Sequence, residues 1–312
     1  MNKLLILDSK AADFADEIEK RALLDLEIHV YAEPIKSKAV VADVNIILGT
    51  PAMVLEVLSE AKGLQWVQST FAGVERFCKP GIRKDYVLTG VKNIFGAQMS
   101  EYVFAYILAL ERSLFETFEN QKKRKWRALP FRSIAGLTIG ICGLGSIGQE
   151  LARTAANFGM RIVALKSAYD DVDEVERIYE PTQMAEFVAQ VDYLVNTLPD
   201  TPTTHGMING SILEQMKASA VLINVGRGST IVEKDLTIAL QNGVIRAAVI
   251  DVFEHEPLSE SSPLWKMENV IVTPHNSAFS FPKDIADIFE ENYHKFTRGE
   301  TLNYIVDFEQ GY

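Results

Sequence analysis

The sequence predicts an α/β protein built as two doubly wound parallel-sheet domains. Three observations carry that expectation. Short apolar runs alternate with segments of helical periodicity along nearly the whole chain. One run, Thr138-Ile-Gly-Ile-Cys142, passes straight into Gly143-x-Gly145-x-x-Gly148 and then into an amphipathic segment. And 312 residues are enough for two separate hydrophobic cores.

The elements can be justified in order. The opening run at 3–8 reads as a first strand, because Asp8 closes it too soon for a signal or membrane segment. Further strands are expected at 27–31, 45–48, 65–68 and 86–89, with helices at 11–24 and 52–61. A single long helix is expected from 98 to about 124, with Val103, Ile107, Leu110 and Leu114 at three- and four-residue steps. The basic run Lys122-Lys-Arg-Lys125 would be its solvated end, where cations complement the helix dipole. A second block begins near Leu137, with strands at 138–142, 161–165, 192–196, 220–224, 246–250 and 270–273. Its helices are expected at 147–158, 210–216 and 234–242, and a last amphipathic helix at 282–297.

Composition narrows the class. An apolar content of 47% with 23% charged residues fits a soluble globular protein. A net charge of −11 argues against nucleic acid as the main partner. Two cysteines, Cys78 and Cys142, form neither a disulfide framework nor a metal-ligand spacing, so no metal and a cytoplasmic location are expected.

The glycine turn points to a dinucleotide. Gly143 permits the tight turn out of the strand, Gly145 lets a pyrophosphate approach the backbone, and Gly148 lets the helix pack closely. The helix start, with Ser146 and Ile147, offers free N–H groups and the positive end of a dipole. Three further clusters follow apolar runs. They are Asn224-Val225-Gly226-Arg227-Gly228, Asp251-Val-Phe-Glu-His-Glu256-Pro-Leu258 and Thr273-Pro-His275-Asn276. All three belong at the carboxyl edge of one sheet, where open α/β sheets bind ligands.

At these clusters the chain resembles the D-isomer-specific 2-hydroxyacid dehydrogenase family. The resemblance covers nearly the whole chain, through Gly143-Leu-Gly-Ser-Ile-Gly148, Leu198-Pro-Asp-Thr-Pro-Thr-Thr204, Asn224-Val-Gly-Arg-Gly228, Asp251-Val-Phe-Glu-His-Glu-Pro257, Ser262-Pro-Leu-Trp265 and Thr273-Pro-His275. It implies a Rossmann-type cofactor domain at 98–281, inserted in a flavodoxin-like substrate domain made of 1–97 plus 282–312. It also implies a homodimer, because the helix and arm at about 98–132 form the interface in relatives. Leu198, Pro199, Thr204, Val225 and Gly226 would contact the cofactor, and Asp251 the nicotinamide carboxamide. Ala72, Gly73 and Val74, in Ser69-Thr-Phe-Ala-Gly-Val-Glu75, match the family's substrate loop.

The chemistry agrees with that resemblance. Reducing a 2-keto acid to a D-2-hydroxy acid requires a hydride, a proton for the forming alkoxide and a cation for the carboxylate. His275 would give the proton, since imidazole titrates near neutral pH. Glu256 would pair with His275 and raise its pKa. Arg227 would hold the carboxylate through its bidentate fork. His255 is the rival acid, but neighbours in an extended segment point apart, so it and Glu256 should not face one site. His29, His205 and His294 read as structural or surface residues, and Trp265 as pocket lining or packing.

The strand at 161–165 should end beside the adenosine ribose, where NAD-selective folds place an acid. Lys166-Ser167 stands there instead, which favours NADP(H) over NAD(H), unless Asp170 or Asp171 takes the ribose. Within the family, Phe71-Ala-Gly-Val-Glu75 and Lys166 look like the glyoxylate/hydroxypyruvate reductases. Phosphoglycerate stays open as a substrate through Arg76 and Lys79. A nucleotide-sensing corepressor role is the alternative from another class.

Overall fold

The computed structural model describes residues 1–167 and 172–309; Asp170 and Asp171, the alternative ribose contacts, lie outside the described residues. The chain folds as two compact units, Met1–Ile94 with Ser280–Tyr312, and Phe95–Phe279.

The first unit is a five-stranded parallel sheet formed by β1 (Asn2–Leu7), β2 (Leu26–Tyr31), β3 (Ile46–Gly49), β4 (Trp66–Ser69) and β5 (Val87–Thr89). Their order is β2-β1-β3-β4-β5, so the direction of winding reverses between β1 and β3. This is the flavodoxin-like order. Helices α1 (Ala11–Glu19), α2 (Pro34–Ser37) and α3 (Pro51–Val57) connect the first four strands. Strands β3 and β4 are buried along their whole length, as strands covered on both faces must be. The C-terminal helix Pro282–Thr297 returns to this unit, stacking Phe289 on Trp66 at 5.0 Å between ring centroids. Both rings are fully buried, each worth roughly 1.5–3 kcal/mol over leaving it in water.

The second unit opens with α4 (Gly96–Glu111) and α5 (Leu114–Lys122). The expected single helix is therefore broken. Ser113 takes a left-handed backbone, with φ of 50°, and the apolar stripe that continues through Val103 and Ile107 leaves Leu114 exposed. Glu111 supplies the reason. Its buried carboxylate accepts from Arg132 Nε at 2.9 Å, from Arg246 and from the Tyr193 hydroxyl, which fixes the end of α4 against the sheet. Burial alone would raise that carboxyl, but these donors outweigh it and hold it below the usual carboxylate range.

The sheet that follows contains β6 (Thr138–Cys142), β7 (Arg161–Leu165), β8 (Arg177–Tyr179), β9 (Tyr193–Asn196), β10 (Val221–Asn224), β11 (Ala247–Ile250) and β12 (Val270–Val272). Helices α6 (Ser146–Asn157), α7 (Met184–Ala189), α8 (Gly210–Leu213) and α9 (Glu233–Gln241) lie among them. All strands are parallel, in the order β12-β11-β10-β9-β6-β7-β8. The winding reverses between β6 and β9, which is the Rossmann arrangement with one strand added. One face of the sheet packs a cluster with Val103, Ile107, Leu151 and Ala155, the other a cluster with Phe187, Leu213, Leu236 and Leu240. The periodicity left β8 and α7 unmarked.

Candidate active site

The glycine turn sits at the switch point, between β6 and α6. Gly143 has φ of 97°, and a Cβ there would lie 2.8 Å from Thr197 Oγ1. At Gly148 a Cβ would come within 2.1 Å of the Gly143 carbonyl, so α6 meets the turn at a distance only glycine allows. A Cβ on Gly145, by contrast, would meet nothing within 4 Å. Gly145 caps α6 without a side-chain hydrogen bond, and the first turn, with Ser146 and Ile147, has no acidic residue. Among the described residues this helix start is open, with free N–H donors, and it fits an anionic pyrophosphate.

Around it lie the other expected cofactor positions. Lys166 follows β7 and donates its backbone N–H to Tyr179 in β8 at 2.9 Å, while Ser167 beside it is exposed. The loop after β9 is closed on itself: Thr204 Oγ1 donates to the Pro199 carbonyl at 2.6 Å, and Leu198 N–H donates to Asn196 Oδ1. Val225 and Gly226 continue β10 and are buried.

The acid–base pair comes from β11 and β12, neighbours in the sheet. His275 Nδ1 lies 2.8 Å from Glu256 Oε2. Phe253 donates its N–H to the other carboxylate oxygen at 3.0 Å, which orients Glu256 from its own loop. The Glu256 bond raises the His275 pKa, against the opposing effects of burial and of Arg227. For Glu256, burial works to raise the carboxyl, but His275, the Phe253 N–H and Arg227 together hold it low. The pair therefore favours imidazolium beside carboxylate. With Nδ1 committed to Glu256, Nε2 is the nitrogen left to exchange a proton.

His275 also has a left-handed backbone, with φ of 50°, which a non-glycine residue holds only under constraint. Asp251 provides it. Its carbonyl accepts from His275 N–H at 2.9 Å, and its fully buried carboxylate accepts from Thr273 Oγ1 (2.6 Å), Asn276 N–H (2.9 Å) and Ser277 N–H (3.0 Å). Tyr102 Oη, from α4, lies 2.6 Å from Thr273 Oγ1. Since the Thr273 hydrogen goes to Asp251, Tyr102 is the donor in that bond. Asp251, the residue expected at the carboxamide, also brackets the histidine.

Arg227 leaves β10 half-buried. Its carbonyl accepts from Thr230 Oγ1 (2.6 Å) and Asn224 Nδ2 (3.2 Å), and Asn196 Nδ2 reaches both Asn224 and Thr230. Asn196, Asn224 and Thr230 thus hold the arginine loop, and Tyr102 and Thr273 the histidine loop. None of these five was singled out from sequence as a support. A polar residue ending an otherwise apolar strand is the signal that could have marked Asn196 and Asn224. His255 is exposed, and among the described residues it makes no hydrogen bond to Glu256 or His275. Trp265 donates its indole N–H to the Ser259 carbonyl at 2.9 Å.

The loop at 72–74 belongs to the first unit. Among the described residues, nothing accepts a hydrogen bond from the N–H groups of Ala72, Gly73 or Val74. Successive free amides of this kind suit a carboxylate.

Comparison with known proteins shows the family. A family model described as the NAD binding domain of D-isomer specific 2-hydroxyacid dehydrogenase matches residues 104–277. The chain is similar to glyoxylate/hydroxypyruvate reductase A of Photorhabdus laumondii, 33% identical over 264 residues that cover 82% of this chain and 84% of the relative. A crystal structure of a D-isomer specific 2-hydroxyacid dehydrogenase family protein from Aeromonas salmonicida superposes with a TM-score of 0.95 at 39% identity, covering 98% of this chain and 99% of that one. An NADPH-dependent glyoxylate/hydroxypyruvate reductase from Sinorhizobium meliloti, solved with NADP and sulfate, superposes with a TM-score of 0.88 at 30% identity over the full length of both chains.

Proposed function

The chain belongs to the D-isomer specific 2-hydroxyacid dehydrogenase family and is an NAD(P)-dependent oxidoreductase acting on keto acids; on that premise we propose that it reduces a glyoxylate- or hydroxypyruvate-like 2-keto acid with NADPH to the D-2-hydroxy acid, with His275 as proton donor. The observation that carries this reading is the bonded His275–Glu256 pair, on the sheet edge that also bears Arg227 and the glycine turn.

A dinucleotide held at the glycine turn would supply hydride chemistry for the keto carbon. His275 gives its Nε2 proton to the developing alkoxide oxygen and is left neutral, its Nδ1–H still held by Glu256. The Glu256 carboxylate raises the His275 pKa and so extends the acid form to higher pH. Arg227 binds the substrate carboxylate and polarises the keto oxygen. In the first unit, the N–H groups of Ala72, Gly73 and Val74, unpaired among the described residues, would suit a substrate carboxylate.

Gly143, Gly145, Ser146, Ile147 and Gly148 would hold the pyrophosphate, with Leu198, Pro199, Thr204, Val225 and Gly226 lining the cofactor and Asp251 holding His275. Lys166 and Ser167 select the 2′-phosphate, in keeping with the NADP bound by the Sinorhizobium relative.

A homodimer covers the exposed Leu114, Phe115, Phe118, Trp126 and Phe131, an apolar series unusual for solvent. No helix among the described residues is long and apolar enough to cross a membrane, and both cysteines are unpaired, which suits a cytoplasmic enzyme. A panel of 2-keto acids assayed with NADPH and NADH at the nicotinamide absorbance band tests the proposal. Turnover of glyoxylate or hydroxypyruvate with NADPH is the expected result; no turnover with any of the panel refutes it.

A further inference from the structure

Asp8 follows β1 and is almost wholly buried, at 5% exposure. Its Oδ1 accepts the Lys10 N–H at 2.9 Å and the Ser9 hydroxyl at 3.4 Å. Its Oδ2 accepts the Thr50 hydroxyl at 2.5 Å and the Thr70 hydroxyl at 3.0 Å. Thr50 follows β3 and Thr70 follows β4, so one carboxylate ties together the ends of three adjacent strands at the switch point of this sheet. Backbone bonds reinforce the tie, from Thr50 N–H to Leu7 and from Thr70 N–H to Gly49, both at 3.1 Å.

Thr70 is also the first fixed point of the loop that carries the free amides. It is fully buried, and its carbonyl accepts from the Ser280 hydroxyl. Phe71 and Ala72 are exposed, and Val74 re-enters the core beside Phe77. Ser69 Oγ bonds both the N–H and the carbonyl of Phe71, so the turn is closed on one side while the Thr70 hydroxyl points inward to Asp8. The span from 71 to 73 is strung between a hydrogen-bonded anchor and an apolar one.

We propose that Asp8, acting through the Thr70 hydroxyl, is a positioning residue that sets the 72–74 amides for the substrate carboxylate. It touches no substrate itself. The inference rests on the reading of 72–74 as a carboxylate site. A hydroxyl–carboxylate bond of this kind has the strength to change binding about tenfold. It acts on binding of the keto acid, since the proton donor and the dinucleotide turn belong to the other unit.

The test uses Thr70→Val, Thr70→Ser and Asp8→Asn in the full-length enzyme, assayed with hydroxypyruvate and NADPH. Thr70→Val and Asp8→Asn should raise the KM for hydroxypyruvate about tenfold, with kcat within about twofold and the Kd for NADPH by fluorescence unchanged. Thr70→Ser, which keeps the hydroxyl, should behave as the parent. Thr70→Val gives the answer if Asp8→Asn does not fold. A lower Tm with an unchanged KM for Thr70→Val would mean a purely structural tie and overturn the proposal. Gly73→Pro, which removes one of the free N–H donors, separates the two levels. If it raises the KM while Thr70→Val does not, only the positioning role fails. If it too leaves the KM unchanged, the carboxylate site and the positioning role fall together.

Discussion

The carboxyl edge of the Phe95–Phe279 sheet carries Arg227, Glu256 and His275, whereas the same edge of the other sheet carries Asp8, Thr50, Thr70 and a loop of unpaired amides. Both sheets are parallel and doubly wound, and both gather their polar groups at the carboxyl ends of their strands. They differ in the kind of group presented. One edge presents side chains that titrate or carry fixed charge; the other uses side chains to hold backbone. The difference follows from the tasks proposed for them. Proton transfer needs a group whose pKa can be moved, and a histidine bonded to a carboxylate supplies one. Recognition of a carboxylate needs only well-placed donors, which amides provide without a change of charge state.

That contrast can be broken most directly at His275. Replacement by Ala should lower kcat for keto-acid reduction by about 10²–10⁴-fold while NADPH binding, followed by fluorescence, is retained. Unimpaired turnover in this variant would move the acid elsewhere. Arg227→Lys comes next. It keeps the charge but loses the bidentate fork, and kcat/KM should fall about a hundredfold in steady-state assays.

Glu256→Gln sharpens the electrostatic half of the comparison. Because the carboxylate raises the His275 pKa, the acid form of the parent persists to higher pH, and reduction declines as pH rises through that raised value. Without the carboxylate the declining limb should move to lower pH, with a loss of about tenfold in kcat at neutral pH. A pH–rate profile with an unmoved limb would show that Glu256 does not tune the histidine.

Lys166→Asp should invert the cofactor preference, read as the ratio of KM values for NADPH and NADH; an unchanged ratio would remove Lys166 from the 2′-phosphate site. The smallest effect on chemistry is expected from Phe118→Glu. It should shift the sedimentation coefficient towards monomer at low protein concentration and leave kcat within about twofold.

Much of this arrangement is legible in the sequence. The strand at 161–165 and the helix at 282–297 have the boundaries expected of them, because their burial patterns are set by local sequence. The glycine turn is equally local: the positive φ at Gly143 and the close approach at Gly148 demand residues without side chains. The three polar clusters could be assigned to one sheet edge because each immediately follows an apolar run. Other features were hidden. The three-residue strand Arg177–Tyr179 is too short for its period to show. The break at Ser113 depends on Arg132, Tyr193 and Arg246, all distant in sequence from Glu111.

By itself, then, the sequence determined the class of fold, the dinucleotide turn and which side chains stand at strand ends, since these follow from short-range periodicity and from backbone conformations open only to glycine. Only the tertiary structure decided which strands are neighbours, that Glu256 and His275 bond, that Asp251 brackets the histidine, and that Asp8 joins Thr50 and Thr70 across 42 and 62 residues. The physical reason is that a buried polar group must find a partner, but its own residue type does not say which distant partner the folded chain will bring to it.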